Sequence, residues 1–237
     1  NTTIAMVSLD GSGNRSFSFY RTGCADVSLT KEDLRLDRIE QSRVFHFGSV
    51  SMTDEPARSA TLFAARYARE HGLTVSYDPN LWSDEQTARQ YIREGLNLCD
   101  VAKLSDEECT FLCGDGEIDA LGHRLLAEHP NLKLLFVTCG AGGSYAFCGS
   151  RMAFVPGFSV KIADTTGAGD AFVGAVLYQI LRRGGLREAY SPAELEQLLT
   201  FGNAVGALSV QRYGAIPAIP TLAETESFLH AQGLLGA

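Results

Sequence analysis

From Val44 onward, short apolar runs alternate with longer segments whose apolar residues recur every third or fourth position. The first pattern suits a strand buried on both faces, the second an amphipathic helix. Strands are expected at Val44 to Val50, Leu73 to Tyr77, Asp100 to Leu104 and Leu132 to Cys139. Helices are expected at Asp54 to His71, with Pro56 in its first turn and Gly72 as its stop, and at Ser83 to Leu98, capped by Ser83. Further helices are expected at Ser105 to Cys113, Ile118 to His129 and Glu194 to Val210 (capped by Ser191, with Pro192 in first position), and Thr221 to Leu229 closes the chain. Two segments alternate with period two instead. Ile4 to Leu9, the turn residues Asp10 to Asn14, and Phe17, Phe19 and Arg21 alternating with Ser16, Ser18 and Tyr20 read as a β-hairpin. Ser144 to Cys148 and Arg151 to Val155 read as a second hairpin around Gly149. Thr30 is a candidate N-cap for the polar segment that runs to Gln41.

Alternation of strand and helix implies an α/β fold with a mostly parallel sheet covered on both faces. Ligands of such sheets sit beyond the carboxyl ends of the strands. The distinctive residues gather at those ends: Asp78-Pro79-Asn80, Ser105, Gly140 to Gly143 and Gly167 to Asp170. The opening hairpin, in a domain of residues 1–30, reads as a lid over that edge. Residues 31–237 form the core.

The most informative run is Asp164-Thr165-Thr166-Gly167-Ala168-Gly169-Asp170-Ala171-Phe172. It lies between a strand-like stretch, Ala153 to Ile162, and a helical pattern from Ala171 to Leu181. A small-residue turn opening a helix aims unpaired N–H groups, and the positive end of the helix dipole, at one point. That is an anion site. Asp170 would repel such an anion unless it has a task, and the evident task is to take a proton from an attacking hydroxyl. The run lacks the Gly-Lys-Ser/Thr of a P-loop and the three-glycine dinucleotide spacing. A tight strand-to-helix connection with an acid in its first turn is the alternative reading of the same residues.

Composition narrows the function classes. The formal net charge of −8 over 237 residues argues against a nucleic-acid partner, which would need a basic face. It also means that an anionic substrate must be held by local positive groups. The six cysteines show no metal-ligand spacing and read as reduced, buried thiols of a cytoplasmic protein. No membrane span is visible.

The Asp164 to Phe172 run resembles the C-terminal signature of the ribokinase-like (phosphofructokinase-B) carbohydrate kinases. Phe17 to Asp26, Val75 to Leu81, Lys103 to Glu108, Val137 to Gly143 and Ser209 to Pro217 resemble the fructokinase branch of that family. The resemblance implies a three-layer α/β/α sandwich with a small β lid. It implies an ATP-dependent sugar kinase that converts D-fructose to fructose 6-phosphate, with 2-keto-3-deoxygluconate kinase, another ribokinase-like sugar kinase or a catalytically inactive nucleotide- or sugar-binding homologue as alternatives. By resemblance Asp170 is the general base, and Gly167, Ala168 and Gly169 form the anion hole. The nucleotide side would be Lys103, Ser105, Glu108, Thr138, Gly140, Gly142, Gly143 and Asn203, with Glu108 organising Mg²⁺ through water. Asp164 and Thr166, with Ser209, Arg212 and Gly214 through backbone carbonyls, would hold a monovalent cation, K⁺. Arg21, Phe19 and Ser49 would meet the sugar beside Asp170, and the lid would form a homodimer.

Three departures from the family pattern stand out. Leu81 is followed directly by Trp82, where the family usually places an Arg. Ala218 stands where some members have Ser. The family's preceding segment, with a Gly-Gly motif and an Asp that grip the sugar, is absent from this chain, which reads as beginning in mid-domain.

Overall fold

The structure, a computed structural model, describes residues 1–9, 15–80 and 85–234. They fall into two compact units, Asn1–Leu98 and Cys99–Ala237. Among the described residues no helix is long and apolar enough to cross a membrane.

The first unit opens on the expected hairpin. Strand β1 (Ile4–Leu9) pairs antiparallel with β2 (Arg15–Tyr20), Ile4 opposite Tyr20 and Ala5 opposite Phe19. The turn Asp10 to Asn14 lies outside the described residues, as do Leu81, Trp82 and the proposed cap Ser83. Thr30 caps a single 3₁₀ turn, Lys31–Asp33, with Asp33 closing the reciprocal box, and helix α1 (Leu36–Glu40) follows. Strand β3 (Val44–Gly48) pairs in parallel with β4 (Thr74–Asp78), joined by helix α2 (Ala57–Glu70). β3 stops at Gly48 rather than Val50, because Ser49–Met52 turns into a 3₁₀ segment. Helix α3 (Glu85–Leu96) ends the unit. Its Gly95 lies under the buried Tyr77 ring, where a Cβ would sit 2.3 Å from Tyr77 Cζ.

In the second unit β5 (Val101–Ser105) and β6 (Leu134–Thr138) run parallel, with helices α4 (Asp106–Cys113) and α5 (Ile118–Glu128) between them. Both strands are buried on both faces until their last residues, Ser105 and Thr138, which are opposite each other. The second hairpin, β7 (Gly143–Cys148) and β8 (Arg151–Pro156), joins β6 antiparallel, so this sheet is mixed. Gly149, at φ 58°, makes its tight turn. β8 ends at Pro156, not at Ile162. Residues 157–167 form an irregular connection to helix α6 (Ala168–Arg182), which begins before the expected Ala171. Helices α7 (Pro192–Ser209) and α8 (Leu222–Ala231) close the unit, each with a reciprocal capping box, from Ser191 and Thr221.

Helix α6 is fixed by close packing on α7. Ala171 and Ala175 meet Phe201, Ala204 and Val205, with Leu229 of α8 in the same cluster. Small residues on α6 bring the two backbones together. Gly202 of α7 does the same for the Phe172 ring.

Two glycine substitutions separate packing from propensity. Gly202→Ala places a methyl 2.6 Å from Phe172 Cε2 and 3.1 Å from Val176 Cγ1, and is expected to cost about 1–3 kcal/mol in urea unfolding. Gly174→Ala, with nothing within 4 Å of the new methyl, is expected to raise stability by about 0.5–1 kcal/mol.

Candidate active site

Glycine shapes the first turn of α6 into a cradle. Gly167 is the N-cap in the left-handed region, φ 78°, and offers no side chain to the helix. The Ala168 N–H reaches Thr165 O at 3.3 Å, and the first intrahelical bond is Ala171 N–H to Gly167 O at 2.8 Å. Among the described residues the Gly169 and Asp170 N–H groups have no backbone acceptor. They lie at the positive end of the helix. Lys103, on β5, approaches the same turn: its Nζ would stand 3.1 Å from a Cβ on Gly169. This buried lysine brings a cation to the cradle in a chain of net charge −8.

Asp170 occupies the third position of the helix and is exposed. Acids at this position elsewhere in the chain reach back to their N-caps: Asp33 to Thr30, Glu108 to Ser105, Glu194 to Ser191 and Glu224 to Thr221. Asp170 faces a glycine N-cap and makes no such bond. The structure therefore does not use this carboxylate to cap its helix, which is the role the alternative reading would give it.

One carboxylate holds the approach to this turn. Asp164 Oδ1 accepts from Thr166 N–H at 2.9 Å and from its hydroxyl at 2.8 Å. Its Oδ2 accepts from Gly214 N–H at 3.0 Å. The Ala163 and Asp164 N–H groups both donate to Val210 O, at 2.8 and 3.1 Å. The loop before α6 and the loop after α7 are thus joined. Ser209 O receives Arg212 N–H at 3.4 Å, and the Arg212 side chain pairs with Glu224 at 2.5 Å. The neighbouring Ala215 stands 3.0 Å from where a Cβ on Gly167 would lie, so the turn tolerates no larger residue there.

Beside the cradle lies a cavity of about 410 Å³. Thr138, Gly140, Ala141 and Gly143 form its sheet side, Ala168 and Gly169 its helix side, and Asn203, Ala207 and Val210 its α7 wall. Phe158, Val160 and Ile162 supply an apolar edge. The turn Gly140–Gly142 is a 3₁₀ segment, with Gly142 N–H donating to Cys139 O at 2.9 Å and Gly157 N–H donating to Gly142 O at 3.3 Å. A Cβ on Gly143 would meet Val155 O at 2.2 Å, and one on Gly157 would meet Ala141 O at 2.4 Å. Gly157 and the apolar edge were not anticipated from sequence. They lie in what looked like a continuing strand, where only the Pro156-Gly157 pair hinted at its end.

Several candidate residues have their polar atoms engaged by the protein. Asn203 accepts from Ser144 Oγ at 2.7 Å and donates to Val155 O at 3.0 Å, so it pins the hairpin to α7 while lining the cavity. Ser105 and Glu108 close a capping box, Glu108 Oε2 accepting the Ser105 N–H at 2.7 Å. In the first unit, Ser49 Oγ donates to Asn80 O at 2.7 Å and accepts Asn80 N–H at 2.9 Å. Arg21 donates to Asp26 at 2.9 Å, Thr53 Oγ1 at 2.8 Å and Val50 O at 3.2 Å. Its guanidinium fork is taken up in anchoring the hairpin base. Phe19 is partly buried on β2.

No thiol is poised for chemistry at this site. Burial pushes Cys139 up to about 11 and Cys109 higher still. Among the described residues no group of three His, Cys, Asp or Glu could hold a metal.

Residues 1–222 match the pfkB family of carbohydrate kinases. Fructokinase-2 of Solanum lycopersicum is 43% identical over 232 residues, covering 96% of this chain and 70% of that protein. The Solanum tuberosum fructokinase is 44% identical, covering 96% of this chain and 69% of its own length. The ATP-bound fructokinase structure from Xylella fastidiosa superposes with a TM-score of 0.86 at 35% identity, covering 98% of this chain and 74% of that one. A Vibrio cholerae O395 fructokinase double mutant, with fructose, ADP and potassium ion bound, superposes at 0.82 with 33% identity, covering 96% and 73%.

Asp164→Ala leaves the Thr166 and Gly214 N–H groups without their acceptor. Hydrogen exchange is expected to rise at residues 164–168 and 211–215, with a stability loss of about 1–3 kcal/mol. Unchanged exchange in both loops would show that the carboxylate does not hold them.

Proposed function

The chain belongs to the pfkB family of carbohydrate kinases, with their ribokinase-like α/β fold, and from that premise we propose how its residues phosphorylate D-fructose with ATP. The observation that carries the residue assignment is the first turn of α6. Its Gly169 and Asp170 N–H groups have no backbone acceptor among the described residues, while its acid is left out of helix capping.

ATP lies in the 410 Å³ cavity, its base against the apolar edge and α7, its phosphates toward the glycine turn at Gly140–Gly142 and the cradle. The Gly169 and Asp170 N–H groups, on the turn that Gly167 and Ala168 open, receive the transferring phosphoryl, the Ala168 N–H being engaged by Thr165 O, and the Lys103 ammonium offsets its charge. Asp170 takes the proton of the primary hydroxyl. The hydroxyl oxygen bonds to the γ-phosphorus, the bond to the β-phosphate oxygen breaks, and ADP and fructose 6-phosphate result. The N–H donors of the cradle are fixed in place before reaction, so little reorganisation is required in the transition state.

The bound ions are assigned by chemistry. Mg²⁺ neutralises phosphate charge when bound, and Glu108, behind Ser105, is the acid placed to organise its waters. K⁺ suits the backbone carbonyls of the two loops that Asp164 joins, with Thr166 on one and Ser209, Arg212 and Gly214 on the other. The Vibrio cholerae double mutant holds a potassium ion, and a second fructokinase structure from that organism holds calcium. Arg21 speaks against a sugar-acid substrate, because its donors already serve Asp26, Thr53 and Val50.

The hairpin serves as a lid and as a homodimer face. Ile4, Met6 and Tyr20 are 58%, 53% and 66% exposed on it, and a two-stranded ribbon with such residues uncovered needs a partner surface. Six cysteines without a disulfide suit the cytoplasm.

Asp170→Asn keeps the shape of the cradle and removes the base. Turnover with fructose is expected to fall about 10²–10⁴-fold, with ATP affinity by calorimetry unchanged or tighter. Turnover within twofold of the parent chain would remove Asp170 from the role of base.

A further inference from the structure

Away from the cradle, α6, α7 and α8 border a second cavity of about 590 Å³. Gln179 stands in its wall. The other buried residues of α6 are apolar, from Ala171 to Ile180. Gln179 is only 9% exposed, and among the described residues its side-chain amide has no hydrogen-bond partner. The amide is not sealed in the core: its polar atoms reach the cavity surface, where water or a ligand can satisfy them. Opening into a cavity, it is a recognition group awaiting one.

The other walls specify the partner's chemistry. Arg182 and Arg183 are consecutive at the carboxyl end of α6, and both line the cavity. Arg182 is 3.7 Å from Glu226, whereas Arg183 has no carboxylate partner among the described residues. Adjacent guanidinium groups suit a phosphate. Thr200, Gln197 and Glu196, on the α7 side, offer the mixed donors and acceptors that hydroxyl groups require. The acids Glu196 and Glu226 disfavour a polyanion, so a single phosphate fits better than a chain of them. The apolar remainder of the wall, Phe201 and Leu229, suits the carbon face of a ring.

We propose that this cavity is a second binding site, for a small singly phosphorylated sugar. It lies on the helix that carries Asp170 but at its opposite end, so its occupant is an effector and not the reacting substrate.

Hydrogen exchange of the whole chain with fructose 6-phosphate tests this. The expected result is saturable protection of peptides covering 179–183, 193–201 and 226–234, separate from protection near 138–143 and 165–170. Gln179→Leu fills the site with an apolar residue of similar size, and Arg183→Gln changes an exposed side chain that folding does not require. Each is expected to weaken that protection about tenfold or more, while basal kinase activity and protection near the cradle stay as in the parent. Protection confined to the cradle, or protection of the second cavity unaffected by both variants, overturns the proposal. Equal protection by inorganic phosphate overturns its sugar component.

Discussion

The Asp164 carboxylate is the constraint on which the cradle depends. It binds the Thr166 N–H and hydroxyl on one side and the Gly214 N–H on the other. Through it the loop entering α6 and the loop leaving α7 become one piece. The irregular residues 157–167 could otherwise take many paths, and the N-cap Gly167 would have no fixed position. Packing completes the constraint: Ala171 and Ala175 seat α6 against Phe201, Ala204 and Val205. A helix N-terminus can stabilise developing charge only if its N–H groups do not have to reorganise, and these contacts provide that rigidity.

The cavity beside the cradle rests on a different device, close backbone approach. Gly143 presses on Val155 O and Gly157 on Ala141 O, at distances that exclude any Cβ. The turn after β6 and the end of β8 can therefore lie together as one wall. Asn203 ties that wall to α7 through Ser144 and Val155. A side chain expected at the edge of the base thus acts as the fastener that keeps the cavity open, with its amide satisfied within the protein.

Much of this was legible in the sequence, for physical reasons that differ from residue to residue. The caps at Ser105 and Ser191 were readable because a capping box is local, written within four residues. The buried strands β5 and β6 were readable from continuous apolar runs. The start of α6 was misplaced because Gly-Ala-Gly reads as turn, whereas a left-handed Gly167 leaves the next three residues free to be helical. The end of β8 was misplaced because Phe158, Val160 and Ile162 continue an apolar alternation that in fact lines a cavity. Arg21 and Asn203 show the limit most clearly. Their partners Val50, Thr53, Ser144 and Val155 are distant in sequence, and no local pattern announces such bonds.

The central claim is that this cradle transfers phosphate from ATP to the primary hydroxyl of fructose. The most direct measurement is ³¹P NMR of the chain mixed with ATP, Mg²⁺ and D-fructose, following nucleotide and sugar phosphate together. The account predicts fructose-dependent loss of the γ-phosphate signal and the appearance of ADP and fructose 6-phosphate in equal amounts. ATP that binds but stays intact when fructose is added, or a phosphate that appears on another carbon of the sugar, would contradict it.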